Sequence, residues 1–306
     1  MTVQHHRRTL PLIAVASAVL AWGFGPLFVK GIDAPVPTIV LWRVVLGAAI
    51  AVAFAHMMGG RLTLRLLVIA FPAGVCFAVS FIAGFASFQE TSIANATLIP
   101  ALQPVLILLL ATRLFGERRT RVEIAYAALA LVGVVVVVAG ASGEGASLAG
   151  NVFAILNLLV FTAYFLLGKH ARDAQEHAWS FLAAVFVGAC VIVVPWGVLT
   201  SDDLGSIQGT DWLLMVGLVL LPGMVGHGLM MWAHQFVDVT ITSMMTLGNP
   251  VVSIVGAWIL YSQDLGPTQI AGCVVVLAAL AQILRHQHAE RALAAEAALT
   301  GDLLDE

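Results

Sequence analysis

Two amide–proline pairs, Gln103-Pro104 and Asn249-Pro250, stand 146 residues apart, each inside a strongly apolar stretch. An amide is expensive to bury in hydrocarbon, so each must face a polar partner or a water-filled space. The proline beside it removes a backbone donor and crowds the preceding turn. Pro104 and Pro250 are therefore expected to break their helices, either baring a carbonyl or serving as bends. Such groups are suited to hydrogen-bonding a small molecule rather than to making or breaking bonds.

More polar side chains fall into register around these pairs. Thr242, Thr246, Asn249, Ser253 and Gly256 recur at spacings of three or four, which sets them on one helical face. The same spacing groups Asn95, Ile99 and Gln103, and also Asn157, Phe161 and Tyr164. It groups Gly223, His227, Met230 and His234, and likewise Cys76, Ser80, Gly84 and Ser87. Small and hydroxyl residues at such spacing also let helices approach closely, and that packing reading is adopted for the Cys76–Ser87 face. The Asn249 face is read as a cavity wall, because an amide is a costly packing device. Trp22, Trp232 and Tyr164 add flat surfaces with a polar handle. The expected substrate-binding set is thus Trp22, Gln103, Asn157, Tyr164, His227, Trp232, Thr246, Asn249 and Ser253. Arg43, some seven residues into its apolar stretch, is read as structural, packing or snorkelling near one membrane face.

No catalytic constellation accompanies them. There is no Ser-His-Asp arrangement or phosphate-binding glycine loop. The histidines at 5, 6, 170, 177, 286 and 288 fall in loops or tails without metal-ligand spacing. Cys76, Cys190 and Cys273 lie singly in apolar runs and read as small core residues. No catalytic residue, metal or cofactor is expected. No Asp or Glu lies in the middle of an apolar stretch, which removes the carboxylate that proton-for-cation exchange needs. His227 is the one well-placed group that titrates near neutrality.

The elements that must hold these residues follow from composition. Of the 306 residues, 60% are hydrophobic and 10% charged, against about 25% charged in soluble domains. Lipid must be the solvent, and a net charge of −3 gives no basic surface for nucleic acid. With about 20 residues needed per crossing, ten spans are legible: 11–30, 36–57, 66–88, 92–113, 122–140, 148–169, 177–199, 211–236, 239–262 and 267–284. With residue 1 inside, twelve of the fourteen Lys and Arg fall in cytoplasmic segments, Lys30 lies outside and Arg43 within a span. Both termini are then cytoplasmic.

The two proline-containing segments each precede a short turn and another apolar helix, so each half holds five spans. An odd number forces the second copy to enter the membrane inverted, as in many secondary transporters. The expected architecture is an all-α membrane protein of ten transmembrane helices in two inverted-topology five-helix repeats. Its parts are a cytoplasmic N-terminus at 1–10, repeats at 11–140 and 148–284, and a cytoplasmic tail at 285–306.

The chain resembles the drug/metabolite transporter superfamily, specifically its EamA type. The residues that carry the resemblance are Trp22-Gly23, Arg43, Thr91-Ser92-Ile93-Ala94-Asn95-Ala96, Pro104 and Gly116-Glu117 in the first half. In the second half they are Trp232-Ala233, Val237-Asp238, Pro250 and Gln269-Ile270-Ala271-Gly272. Gln263 stands where the family usually keeps a second glutamate, so Glu117 is read as stabilising a helix end. The resemblance implies a transporter without naming its cargo.

The expected function is export of amino acids or related small metabolites across the bacterial inner membrane by alternating access. The partners are a small-molecule substrate and the lipid bilayer, with the chain a monomer or weak homodimer. Efflux of toxic compounds is the alternative if the cavity proves wide and aromatic. A membrane-embedded non-transport protein, either a lipid-substrate enzyme or an adaptor with a packed interior, is the other.

Overall fold

The computed structural model describes residues 2–90, 96, 99–116, 120–139, 147–174, 176–261 and 266–302. Glu117, Asn95 and Gln263 lie outside the described residues. Among those described, all regular structure is helical. Seven helices are long and apolar enough to cross a membrane, and Ile270–Ile283 is a shorter apolar helix.

The helices in chain order are α1 (Thr2–Gly23), α2 (Gly25–Gly31), α3 (Val36–Met57), α4 (Leu64–Glu90) and α5 (Gln103–Phe115). Next come α6 (Arg121–Ala139), α7 (Leu148–Asp173), α8 (Ala178–Thr200), α9 (Asp211–Leu218) and α10 (His227–Ala233). Last are α11 (Val239–Met245), α12 (Asn249–Tyr261) and α13 (Pro267–Asp302). α13 runs on past the apolar stretch, so the charged tail is helical as far as Asp302.

Among the described residues four stretches expected as single spans are broken, each beside a proline. α1 yields to α2 at Phe24, with Pro26 in the first turn of the new helix, where a missing N–H goes unused. Between α9 and α10 the chain widens into a π-helical run, Val219–Gly226, around Pro222. The wider turn absorbs the donor that Pro222 lacks. Between α11 and α12 lies a 3₁₀ turn, Thr246–Gly248.

That last break has a counterpart. A 3₁₀ turn at Pro100–Leu102 leads into the 13-residue α5, just as Thr246–Gly248 leads into the 13-residue α12. In a continuous helix Pro104 and Pro250 would leave the carbonyls of Pro100 and Thr246 without a donor. Instead Gln103 N–H donates to the Pro100 carbonyl and Asn249 N–H to that of Thr246. The expected bare carbonyl is therefore taken up by a tighter turn, and what each proline leaves is a change of helical pitch.

Packing follows from small residues. α4 crosses α8 so closely that a Cβ at Gly74 would stand 2.8 Å from the Val185 carbonyl. α6 and α13 pair in the same way, and a Cβ at Gly133 would stand 3.0 Å from the Gly272 carbonyl. α4 also packs along α7, α3 along α8, and α1 along the π run and α10. Large apolar side chains face outward on α6, α12 and α13, Val132, Trp258 and Leu277 among them, as a lipid-facing surface requires.

Candidate functional site

The breaks surround a cavity of about 620 Å³. The α1–α2 junction contributes Trp22, Gly25, Pro26, Val29 and Lys30, and α3 contributes Val36 and Arg43. α4 presents Ser80, Phe81, Gly84 and Phe85, which is one helical face. Asn157 and Phe161 come from α7, Pro222 from the π run, His227 from α10, Asn249 from α12 and Pro100 from the first 3₁₀ turn. Five of these positions lie at or beside a proline break.

Of the nine residues expected to bind substrate, Trp22, Asn157, His227 and Asn249 stand on this wall. The other five lie off it. Tyr164 is a layer behind, 1% exposed, its hydroxyl 3.2 Å from His227 Nδ1. Gln103 is buried, with Nε2 lacking a partner among the described residues. Trp232 packs on Phe236 with ring centroids 5.0 Å apart. Thr246 donates to the Ser243 carbonyl at 2.6 Å, and Ser253 donates to the Gly23 carbonyl at 2.8 Å. The Asn249 stripe is thus largely helix packing, and only its amide reaches the cavity. Ser253 is satisfied by α1 alongside it and so needs no cavity, while Thr246 bonds back to its own segment three residues earlier. Thr242 and Ser243 do so as well.

The reverse holds on α4. Its small-residue face, read as packing, supplies Ser80 and Gly84 to the wall, and Ser80 also bonds back to the Phe77 carbonyl at 2.8 Å. A Cβ on Gly84 would lie 3.1 Å from Asn157 Nδ2, so the missing side chain is what admits the amide. Phe81 and Phe85 were not singled out by sequence. Their one signal is position, each next to Ser80 or Gly84 and four residues from the other.

His227 sits in an aromatic frame. Its ring centroid is 4.8 Å from that of Trp22, 4.9 Å from Phe77 and 6.4 Å from Phe81. Trp22 is wedged against Gly226, where a Cβ would come within 2.5 Å of its indole. The fold therefore fixes both rings from behind.

Arg43, read as structural near a membrane face, lies on the cavity wall and is 6% exposed. Its guanidinium carbon stands 4.1 Å from the Phe81 ring centroid, and Nε has no hydrogen-bond partner among the described residues. No Asp or Glu is on the wall. Among the described residues no cluster of His, Cys, Asp and Glu could hold a metal ion.

At the opposite end of the bundle, α7 is tied to the turn after α10. Lys169 Nζ donates to the His234 carbonyl at 2.8 Å and pairs with Asp173 at 2.8 Å. Arg172 donates to Gln235 Oε1. His234 is fully buried with its ring 4.6 Å from Phe165.

Apolar helices long enough to cross a bilayer, broken at prolines around a polar-aromatic cavity, define a multi-pass membrane transporter. The EamA-like transporter family matches residues 9–139 and 148–285, and the chain belongs to that family. Its cargo is accordingly a small molecule and its surroundings lipid, and it is not an enzyme. Over 216 residues the chain is 22% identical to a protein of Bacillus subtilis (strain 168) named uncharacterized transporter YxxF, covering 69% of this chain and 68% of that one. Over 255 residues it is 22% identical to the pseudopaline exporter CntI of Pseudomonas aeruginosa (strain UCBPP-PA14), covering 82% and 87%. A solved structure, described only as a crystal structure of a protein, shares the fold with a TM-score of 0.76 at 18% identity, over 90% of this chain and 98% of that one.

Proposed function

We propose that this protein exports amino acids or related small metabolites across the bacterial inner membrane by alternating access. The observation that carries the reading is the composition of the cavity wall. Residues from both stretches that match the family contribute to it, with Trp22, Arg43 and Ser80 facing Asn157, His227 and Asn249. A binding site shared by two halves is what rocking of one half against the other would expose to each side in turn.

The ten-span, inverted-repeat architecture, with repeats at 11–140 and 148–284, belongs to this proposal. It is supported by the matched 3₁₀-to-α breaks at Gln103 and Asn249. It is also supported by reciprocal packing. α4 lies against α7 as α1 lies against the α9–α10 segment, while α3–α8 and α6–α13 pair across the proposed axis. With both termini cytoplasmic, the cavity runs outward to Lys30 and Val36, and the Lys169–His234 contact closes the inner end. Trp22, Asn157, His227 and Asn249 are the proposed substrate contacts, with Pro104 and Pro250 as the points of bending. Direction rests on the relative named as an exporter.

The test is counterflow of a labelled amino-acid mixture in liposomes, with Asn249→Ala alongside. Saturable uptake lost in the variant is the expected result. Absence of uptake from folded wild-type protein would remove amino acids as cargo. A second reading, efflux of toxic amphipathic compounds, is favoured by the aromatic wall of Trp22, Phe81, Phe85 and Phe161. Labelled hydrophobic cations moving where amino acids do not would select it.

A further inference from the structure

We propose that Arg43 is an anion receptor inside the cavity and that the cargo docks there through a carboxylate. The proposal rests on the transport reading above and names the charge that the cargo must bring. Arg43 is a wall residue, 94% withdrawn from solvent, and its Nε lacks a hydrogen-bond partner among the described residues. The face of Phe81 supports the guanidinium at 4.1 Å, a contact that holds the plane without neutralising its charge. The wall carries no Asp or Glu, and the remaining cation on it is Lys30, at the exposed end of α2. A cation inside a membrane protein normally faces a partner or marks the path of one. Here the protein leaves the partner's place next to the cavity.

The rest of the wall narrows the class. A guanidinium fork matches the two oxygens of one carboxylate. A dianionic phosphate would call for a second cation beside the first, whereas Lys30 lies at the exposed end of α2 and Ser80, Asn157 and His227 on the wall are uncharged or weakly basic. Asn249 adds the complement, a side-chain carbonyl oxygen that is buried and lacks a donor among the described residues. The chain of contacts from Arg43 and Phe81 through His227 and Trp22 to the α1–α12 contact at Gly23 and Asn249 therefore joins an anion-seeking end to an acceptor end. A zwitterion with a carboxylate and an N–H group fits both ends. A cationic amphiphile brings nothing for the Arg43 end.

The first measurement uses wild-type protein in lipid nanodiscs and needs no transport. Phenylglyoxal modification of Arg43 is followed by peptide mass spectrometry at equal ionic strength in chloride, acetate, inorganic phosphate, L-leucine and L-leucinamide. The expected result is reaction at Arg43 that acetate and L-leucine slow several-fold, while chloride and L-leucinamide do not. An Arg43 that never reacts, or that no anion protects, overturns the proposal. Protection by phosphate exceeding that by acetate overturns the carboxylate assignment.

The second measurement is counterflow of the labelled amino-acid mixture competed by L-leucine or L-leucinamide. Wild type should prefer the acid. Arg43→Gln should lose that preference by about tenfold or more, as expected for a hydrogen bond to a charged group. Arg43→Lys, a point charge without the fork, should fall between. An unchanged preference in folded Arg43→Gln overturns the proposal. If Arg43→Gln does not fold, the protection assay on wild type decides. Acetate protection without amino-acid counterflow would leave the anion site standing and remove the amino-acid cargo. Counterflow without protection would do the opposite.

Discussion

Tyr164 and His227 share a hydrogen bond of 3.2 Å, and only His227 reaches the cavity. The phenol is 1% exposed and lies in ring contact with Phe77 at 4.9 Å. It therefore works through the imidazole, holding the ring angle and tautomer from a dry layer. Tyr164→Phe should leave Nδ1 without its partner and lower stability by about 1–3 kcal/mol. A thermal melt reads that loss, and counterflow should persist with a weakened half-saturation. Unaltered melting would mean that the bond contributes nothing to the fold.

Gly84 makes room for Asn157. A methyl group there would stand 3.1 Å from Nδ2, close enough to push the amide off its position. Gly84→Ala should fold and raise the half-saturation of counterflow, and Gly84→Leu should block uptake. Uptake by Gly84→Leu at the wild-type rate would show that cargo does not pass this point.

The contact between α7 and the turn after α10 gives a prediction about conformation. Lys169 joins α7 to the turn after α10 through a charge-assisted bond of 2.8 Å. Losing it should shift the protein away from the closed form by about 1.5–3 kcal/mol. In a background with Cys76, Cys190 and Cys273 replaced, Ala171→Cys reports on this end, since Ala171 is buried. Adding Lys169→Met should speed its labelling by a water-soluble maleimide about tenfold or more. Equal rates would show that this contact does not hold the end shut.

The paired prolines predict a change in rate rather than in affinity. Replacing Pro250 with Ala restores an N–H that can donate to the Thr246 carbonyl, now bonded to Asn249. The 3₁₀ turn should then relax towards a continuous helix. Pro104→Ala should act alike at the Pro100 carbonyl. Each should slow counterflow while leaving half-saturation near wild type, and the pair together should slow it further. Wild-type turnover in the double variant would remove bending from the mechanism.

What the sequence disclosed and what it hid have physical reasons. Pro104 and Pro250 were legible as breaks because each stands beside an amide in an apolar stretch, whereas proline alone does not decide the matter: Pro26 and Pro222 also mark a change of helical form, but Pro72 and Pro195 lie inside unbroken helices. The form of each break was not legible, since a missing donor can be absorbed by a kink, a 3₁₀ turn or a π run. Trp22, Asn157, His227 and Asn249 were legible as polar or amphipathic groups in apolar helices. Thr246 and Ser253 misled because a hydroxyl satisfied by a backbone carbonyl looks the same in sequence as one facing water. Phe81 and Phe85 were hidden for the converse reason, since an aromatic cavity wall and a lipid-facing surface use the same residues. Arg43 was visible, but its side of the helix depends on α3 packing against α8, which no local pattern encodes.

The hydroxyls that bond back to their own helices carry one more consequence. Ser80 and Ser87 on α4, Thr162 on α7, and Thr242 and Ser243 on α11 all donate within their own segment. No neighbouring helix is needed to satisfy them. At these positions a helix can slide or tilt against the next without breaking a hydroxyl bond, and the ties that remain, such as those of Tyr164 and Lys169 on α7, lie elsewhere. The contacts at these positions are smooth in hydrogen bonding, and the helix movements of the proposed transport cycle would meet little resistance there.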